Sequence, residues 1–176
     1  MKVATVVFLR KVLSTTDKEA NEICLAEKVD DVHTDTAKAK GTAGKLFGYG
    51  GKQKEGETLE QTAIRELQEE ALVVGKEEDL TPLGYIDSFF EGNESSEANM
   101  RIYFYFLDKW EGEPKETETM IHPEFVVIKN IDWRKLPEGD GLFLPHMLRE
   151  KIVIGELRKV GNFYEFKSKR EIDIPA

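Results

Sequence analysis

Apolar positions change their period along the chain, and each change marks an element. Residues 3–12 are β-branched and aromatic and predict a strand. Residues 22–29 predict a second strand, joined to the first as a hairpin through the polar stretch 14–21. Residues 30–44 are polar and read as a solvated loop. Leu46-Phe47-Gly48-Tyr49-Gly50-Gly51 reads as a strand entering a tight turn, where glycines let the backbone approach a helix or ligand closely. Leu59, Ala63, Leu67 and Ala71 then recur every four residues with Ile64 beside them, predicting a helix over residues 58–71 with one buried stripe. Thr58 is its N-cap, and Gln61 completes a capping box. Residues 83–92, 100–108 and 125–131 predict strands, separated by an exposed turn at 94–98 and an acidic loop at 111–123. Leu144, Met147, Leu148 and Ile152 at helical spacing predict a second helix over residues 142–157, with Pro145 tolerated in its first turn. Residues 160–166 predict a closing strand, and the tail is expected to pair or fray.

Six or more strands with two helices predict a mixed α/β architecture packed in layers. No repeat, low-complexity tract or linker divides the chain. Its 176 residues suffice for one full core, so a single domain over residues 1–176 is expected.

The first helix carries a second stripe. Glu66, Glu69 and Glu70 stand at i, i+3 and i+4 and project as one cluster. Like charges at this spacing repel by roughly 0.2–0.5 kcal/mol per pair. A hard cation such as Mg²⁺ or Mn²⁺ would turn that repulsion into binding. A solvated acidic face is the ordinary alternative.

Charge and composition narrow the options. A net charge of −9 disfavours a general nucleic-acid binder, so no stable nucleic-acid partner is expected. A small phosphorylated substrate stays open, because a bound cation offsets local acids. The one cysteine, Cys24, excludes an internal disulfide and reads as a buried small side chain. That suits a reducing, cytoplasmic setting. No stretch approaches the ~20 apolar residues of a membrane helix, and no membrane partner is expected. Residues 3–9 end at Arg10-Lys11 without a small-residue cleavage site, and read as a strand rather than a signal peptide. Asp30, Asp31, His33 and Asp35 match no defensible ligand spacing. Gly44-Lys45 fails as a P-loop, because Ala39 and Leu46 stand where glycine and Ser or Thr are required. Lys38, Lys40 and Lys45 are the basic residues nearest the glycine-rich turn, placed to meet phosphates.

From Gly51 the chain runs five residues to Glu57, seven more, then Arg65-Glu66-Leu67-Gln68-Glu69-Glu70-Ala71-Leu72-Val73. This string resembles the Nudix box, with every charged position in register and Leu72 where the pattern has glycine. The resemblance implies an α/β/α sandwich around a mixed β-sheet and Mg²⁺-dependent hydrolysis, with Mn²⁺ a substitute. It implies Glu66, Glu69 and Glu70 as the main metal ligands, helped by the Gly51 carbonyl, and Glu57 with Arg65 as an orienting pair. An i, i+4 link from Arg65 to Glu69 is the ordinary alternative. Many relatives add an acid from a later loop. Glu116 and Glu118 are the candidates, with Glu118 preferred. The general base stays open between Glu118 and the box glutamates, Glu66 among them. A leucine forced into the left-handed conformation at 72 would cost roughly 1–2 kcal/mol, so a remodelled helix end with Gly75 as a delayed cap is expected.

Outside the box the chain resembles the MutT-type branch, which hydrolyses oxidised purine nucleoside triphosphates. The shared stretches are Phe47 to Lys52, Trp110-Glu111-Gly112-Glu113-Pro114 and Gly139 to Pro145. The resemblance implies cleavage of a nucleoside triphosphate, such as 8-oxo-dGTP, to monophosphate and pyrophosphate. In those relatives an acidic pair before the second helix reads the purine edge. Here only Asp140 is acidic, and Gly139 precedes it. Phe47 replaces a base-reading Asn, and Pro137 stands at a stacking Trp. Asp140 is alternatively a helix N-cap, and Phe47 and Phe143 are stacking surface or core. Phe47, Asp140 and Lys45 are the candidate substrate contacts. The alternatives are a hydrolase of another nucleoside diphosphate derivative, such as ADP-ribose, or a non-catalytic nucleotide-binding module. The protein is expected as a monomer or homodimer.

Overall fold

The computed structural model describes residues 1–29 and 44–174. Asp30, Asp31, His33, Asp35, Lys38 and Lys40 lie outside the described residues. The strands are β1 (Lys2–Lys11), β2 (Glu22–Lys28), β3 (Leu46–Phe47), β4 (Tyr49–Lys52), β5 (Leu80–Phe89), β6 (Met100–Leu107), β7 (Met120–Val127), β8 (Lys151–Val160) and β9 (Phe163–Asp173). The helices are α1 (Leu59–Ala71) and the short α2 (Leu144–Leu148). The strands join in one mixed sheet ordered β3-β2-β1-β6-β5-β8-β9, with β4 also on β1 and β7 also on β2.

β1 is the axis of this arrangement. It runs parallel to β6 from Lys2↔Met100 to Leu9↔Leu107 and antiparallel to β4 from Ala4↔Lys52 to Val7↔Tyr49. Its expected hairpin with β2 shrinks to two pairs, Arg10↔Ile23 and Lys11↔Glu22. β1 is also covered on both faces, so its alternation sorts two cores. Val7 and Leu9 join Ala63, Leu67 and Ala71 of α1, while Phe8 joins Leu144, Met147 and Leu148 of α2. The result is an α/β/α sandwich with a thin second helical layer. None of the described helices is long and apolar enough to cross a membrane.

Three sequence boundaries are corrected. The second helix stops at Leu148, and Ile152 belongs to β8. Glu150, at φ 63°, turns the chain, held by Arg10 at 2.7 Å and by Lys18. Val153, Gly155 and Leu157 then alternate inward with period two. The strand expected at 160–166 is two strands, because Gly161 at φ 60° closes a hairpin between β8 and β9. The tail therefore pairs as far as Asp173 instead of fraying. β7 begins at Met120, inside the expected loop, and ends at Val127, followed by a 3₁₀ turn over Ile128–Asn130.

The end of α1 is also a correction. Leu72 is itself the left-handed cap, at φ 58° and ψ 32°, and its N–H donates to the Gln68 carbonyl. The reversal takes Val73 into the core while Leu72 stays 52% exposed. Gly75 serves close packing instead: a Cβ there would stand 2.6 Å from Leu107 Cδ2. Leu72→Gly should therefore stabilise the protein. It removes about 1–2 kcal/mol of left-handed strain and gives back part of it as unfolded-chain entropy. The expected net is about 1 kcal/mol, a Tm rise of about 2–4 °C for a chain of this size. Thermal unfolding checks it, and an unchanged or lower Tm would mean that Leu72 gains more from packing than its exposure suggests.

Candidate active site

The loop into α1 is built by short-range bonds. Thr58 Oγ1 accepts from Gln61 N, and Gln61 Oε1 accepts from Thr58 N, so the capping box forms as expected. Glu57, just before it, accepts from Lys54 N at 3.1 Å and from Thr62 Oγ1 at 2.9 Å. Arg65 Nε and Nη2 meet both oxygens of Glu57, and Nη2 also donates to the Lys52 carbonyl at 3.1 Å. The fork thus ties strand end, loop and helix together. The Arg65 hydrogen bonds hold the Glu57 carboxyl down to about 2, with Lys54 N and Thr62 adding to the effect. Arg65 makes both expected pairings, because Nη1 also reaches Glu66 at 2.6 Å and Glu69 at 3.2 Å.

The three box acids differ in environment. Row 62-66-70 of α1 lies over β4. Glu70 is 9% exposed and accepts from Gly50 N at 3.0 Å. Burial pushes its carboxyl up to about 7, against the Gly50 hydrogen bond and the charge of Lys28. Glu66 presses on the Gly51 backbone: a Cβ at Gly51 would stand 2.5 Å from Glu66 Cδ. Only glycine admits the carboxylate there. The Glu69 side chain is 52% exposed and also faces Lys54 at 3.7 Å. One guanidinium thus faces three carboxylates, Glu57, Glu66 and Glu69.

The predicted ligands Gly51, Glu66, Glu69, Glu70 and Glu118 are not gathered round one point. Among the described residues, no three His, Cys, Asp or Glu side chains stand close enough to hold a metal ion. Arg65 holds Glu66 and Glu69, while Glu70 stays on Gly50. The donor set still suits a hard cation, being oxygen throughout, and the Gly51 cradle brings backbone and carboxylate together. Thr117 Oγ1 donates to the Glu70 carbonyl and Lys115 N to that of Ala71, pinning the acidic loop on the end of α1. Glu118 is exposed one residue beyond that tether, and Glu116 accepts from His122 N instead.

The candidate substrate contacts are divided between the faces. Phe47 is half-buried and packs on the α1 side. Asp140 lies on the other, in the turn where a Cβ on Gly139 would stand 3.0 Å from Leu157 and Tyr164 and one on Gly141 3.5 Å from Trp133. It does not cap α2, whose N-cap is Phe143 with no side-chain cap bond. Its carboxyl is pushed up to about 7 by burial. Lys45 Nζ donates to the Arg134 carbonyl at 2.9 Å. Phe143 is core, edge-on to Phe104 at 5.5 Å. Two residues that contact the box escaped the sequence reading. Lys28 stands 5.4 Å from the Phe47 ring centre and acts on Glu70, and Thr62 holds Glu57. A lone Lys closing a predicted strand was the only signal for the first, and the row 62-66-70 for the second.

Comparison with known proteins decides the family. The NUDIX domain model matches residues 12–149. The chain belongs to the NUDIX family. An oxidized purine nucleoside triphosphate hydrolase of Danio rerio is 36% identical over 121 residues, 68% of this chain and 73% of that protein. The 8-oxo-dGTP diphosphatase of Escherichia coli (strain K12) is 38% identical over 98 residues, 54% of this chain and 63% of that one. A crystal structure of a MutT protein from Bacillus halodurans shares the fold, with a TM-score of 0.66 at 14% identity, covering 94% of this chain and 97% of that one. The protein is a Nudix hydrolase, and the Glu57–Arg65 fork and the acids of α1 are its box.

Proposed function

We propose that this Nudix hydrolase cleaves a purine nucleoside triphosphate, oxidised purines included, to monophosphate and pyrophosphate with a divalent cation, Mg²⁺ or Mn²⁺. The observation that carries the reading is the box itself: Glu66 against Gly51, Glu70 on Gly50 and Arg65 bridging Glu57, Glu66 and Glu69. The two relatives named for this activity support the substrate class. Glu66, Glu69 and Glu70, with the Gly51 carbonyl, would hold the cation, and Glu118 is one residue from the loop's tether to the same helix end. When bound, the cation supplies neutralisation of phosphate charge and activation of water.

The chain's own residues do the rest. Arg65 fixes the helix start to the loop, so the acids share one rigid frame. Lys28, beside Phe47 and Glu70, gives the acidic site a positive group to meet a phosphate. Glu70, enclosed and readily protonated, can hold a proton until a cation displaces it. Asp140 offers the base an enclosed carboxyl that both donates and accepts near neutrality.

A panel of nucleoside triphosphates, oxidised triphosphates and ADP-ribose, with products identified, tests the reading. Monophosphate plus pyrophosphate is expected. AMP plus ribose phosphate from ADP-ribose would replace the proposal, and no hydrolysis by folded, cation-loaded protein would end it.

Asp140→Asn gives a second check. It removes one hydrogen-bonding state of the carboxyl, so kcat/KM for the preferred purine should fall by about 10–100-fold. Its effect on stability has the opposite sign. Between the ordinary value of 3.8 and about 7, the folded protein keeps a proton that the unfolded chain has lost. Stability therefore falls as pH rises through that window and stays reduced above it. The asparagine variant should lose this slope and melt higher than the parent at pH 8, with little difference below pH 4. Equal melting at pH 8 would show that the carboxyl is not enclosed in solution.

A further inference from the structure

Among the described residues, one buried side-chain polar atom lacks a hydrogen-bond partner: Thr5 Oγ1. Thr5 is 0% exposed, in the middle of β1. Its odd-numbered neighbours on that strand, Val7 and Leu9, face α1, so Thr5 faces α1 too. Gly51 of β4 is its partner on one side and Tyr103 of β6 on the other. Side chains directly opposite in an antiparallel pair share a face, with Cβ atoms about 4.5–5.5 Å apart. The Cβ position at Gly51 is where the Glu66 carboxyl rests. The pairing thus puts the buried Thr5 side chain and the Glu66 carboxyl on the same face of the sheet at neighbouring positions, with no hydrogen bond between them. Glu66 Oε1 is engaged by Arg65 at 2.6 Å, and the carboxylate approaches no other acids closely enough for a metal site.

Resting on the cation reading above, we propose that Thr5 is a positioning residue for Glu66. When a divalent cation takes over from Arg65, the Thr5 hydroxyl donates to the Glu66 carboxylate, directly or through one water, and fixes it toward the cation. In this structure Arg65 holds Glu66, and the Thr5 hydroxyl has no hydrogen-bond partner. A buried hydroxyl without a partner costs stability where valine would fill the same space, and an arrangement of Glu66 that accepts from it offsets that cost. Groups that orient metal ligands in this way typically change affinity by about 10–100-fold.

The test uses Thr5→Val, which keeps the shape, and Thr5→Ser, which keeps the hydroxyl. Mn²⁺ binding is followed by electron paramagnetic resonance and calorimetry without substrate, and thermal unfolding is measured without cation. Thr5→Val should bind Mn²⁺ about tenfold more weakly while melting no lower than the parent, and Thr5→Ser should restore most of the affinity. Unchanged Mn²⁺ affinity in Thr5→Val would overturn the proposal and leave the cation reading intact. A loss that serine does not restore, with a lower Tm in both variants, would also overturn it, since packing would then be the role of Thr5. No Mn²⁺ binding by the parent would overturn the cation reading as well.

Discussion

Glu70→Gln is expected to lower kcat by at least about a hundredfold while leaving the protein folded and, above pH 7, more stable than the parent. The two halves of this result have one cause. Glu70 is the most enclosed acid of the box, and its carboxyl is pushed up to about 7 because α1 packs it against β4. Glutamine keeps an oxygen that can accept from Gly50 N, so the local frame survives. What it loses is the charge a cation needs. For stability, the folded protein retains a proton on Glu70 between the ordinary 4.5 and about 7, where the unfolded chain does not. Stability contributed by this site therefore declines as pH rises through that range and stays low above it. The neutral variant escapes the decline. Thermal unfolding at pH 5 and pH 8 without cations, beside turnover at saturating cation, reads both halves. Near-normal turnover would remove Glu70 from the ligand set. Glu69→Gln should also cost turnover, while its half-exposed side chain leaves the fold intact.

This contrast shows what the chain's pattern could and could not reveal. The i, i+3, i+4 spacing placed Glu66, Glu69 and Glu70 on one side of α1. It could not tell that β4 would bury Glu70 and leave Glu69 in water, because burial depends on which strand lies beneath. The capping box at Thr58 and Gln61 was legible, as both partners sit within one turn. Glu57 and Arg65 were paired through the family pattern, and the fork adds Lys52, Glu66 and Glu69 to it. Leu144, Met147, Leu148 and Ile152 fitted a helix, but β-branched Ile152, Val153 and Ile154 fitted a strand equally. The contacts of Glu150 with Arg10 and Lys18, more than a hundred residues away, mark the boundary. The parallel β1–β6 pairing joins residues about a hundred positions apart and leaves no local signal. Lys28 and Thr5 were missed for the same reason, since each matters through a neighbour supplied by another strand.

Arg65→Ala is expected to lower kcat/KM by about a hundredfold and to lower Tm, with the Tm loss shrinking at high salt. Among the described residues, Arg65 is the one guanidinium that meets Glu57, Glu66 and Glu69, and it also holds the Lys52 carbonyl. Removing it leaves three carboxylates facing one another and frees the loop from the helix start. The loss in Tm should stay well below the sum of its hydrogen bonds, because the side chain is partly exposed and water replaces some of them. Acid titration supplies the specific signature. Glu57 is held down to about 2 chiefly by Arg65, so its contribution is present above the ordinary 4.5 and is lost as pH falls toward 2. Arg65→Ala should shed that dependence, and the parent and variant curves should converge below pH 2. Arg65→Lys should recover little of either property, because a single ammonium cannot bridge both Glu57 oxygens and the Lys52 carbonyl together. Full activity in Arg65→Lys would show that the site needs only a positive charge at this position, and that the planar fork is dispensable.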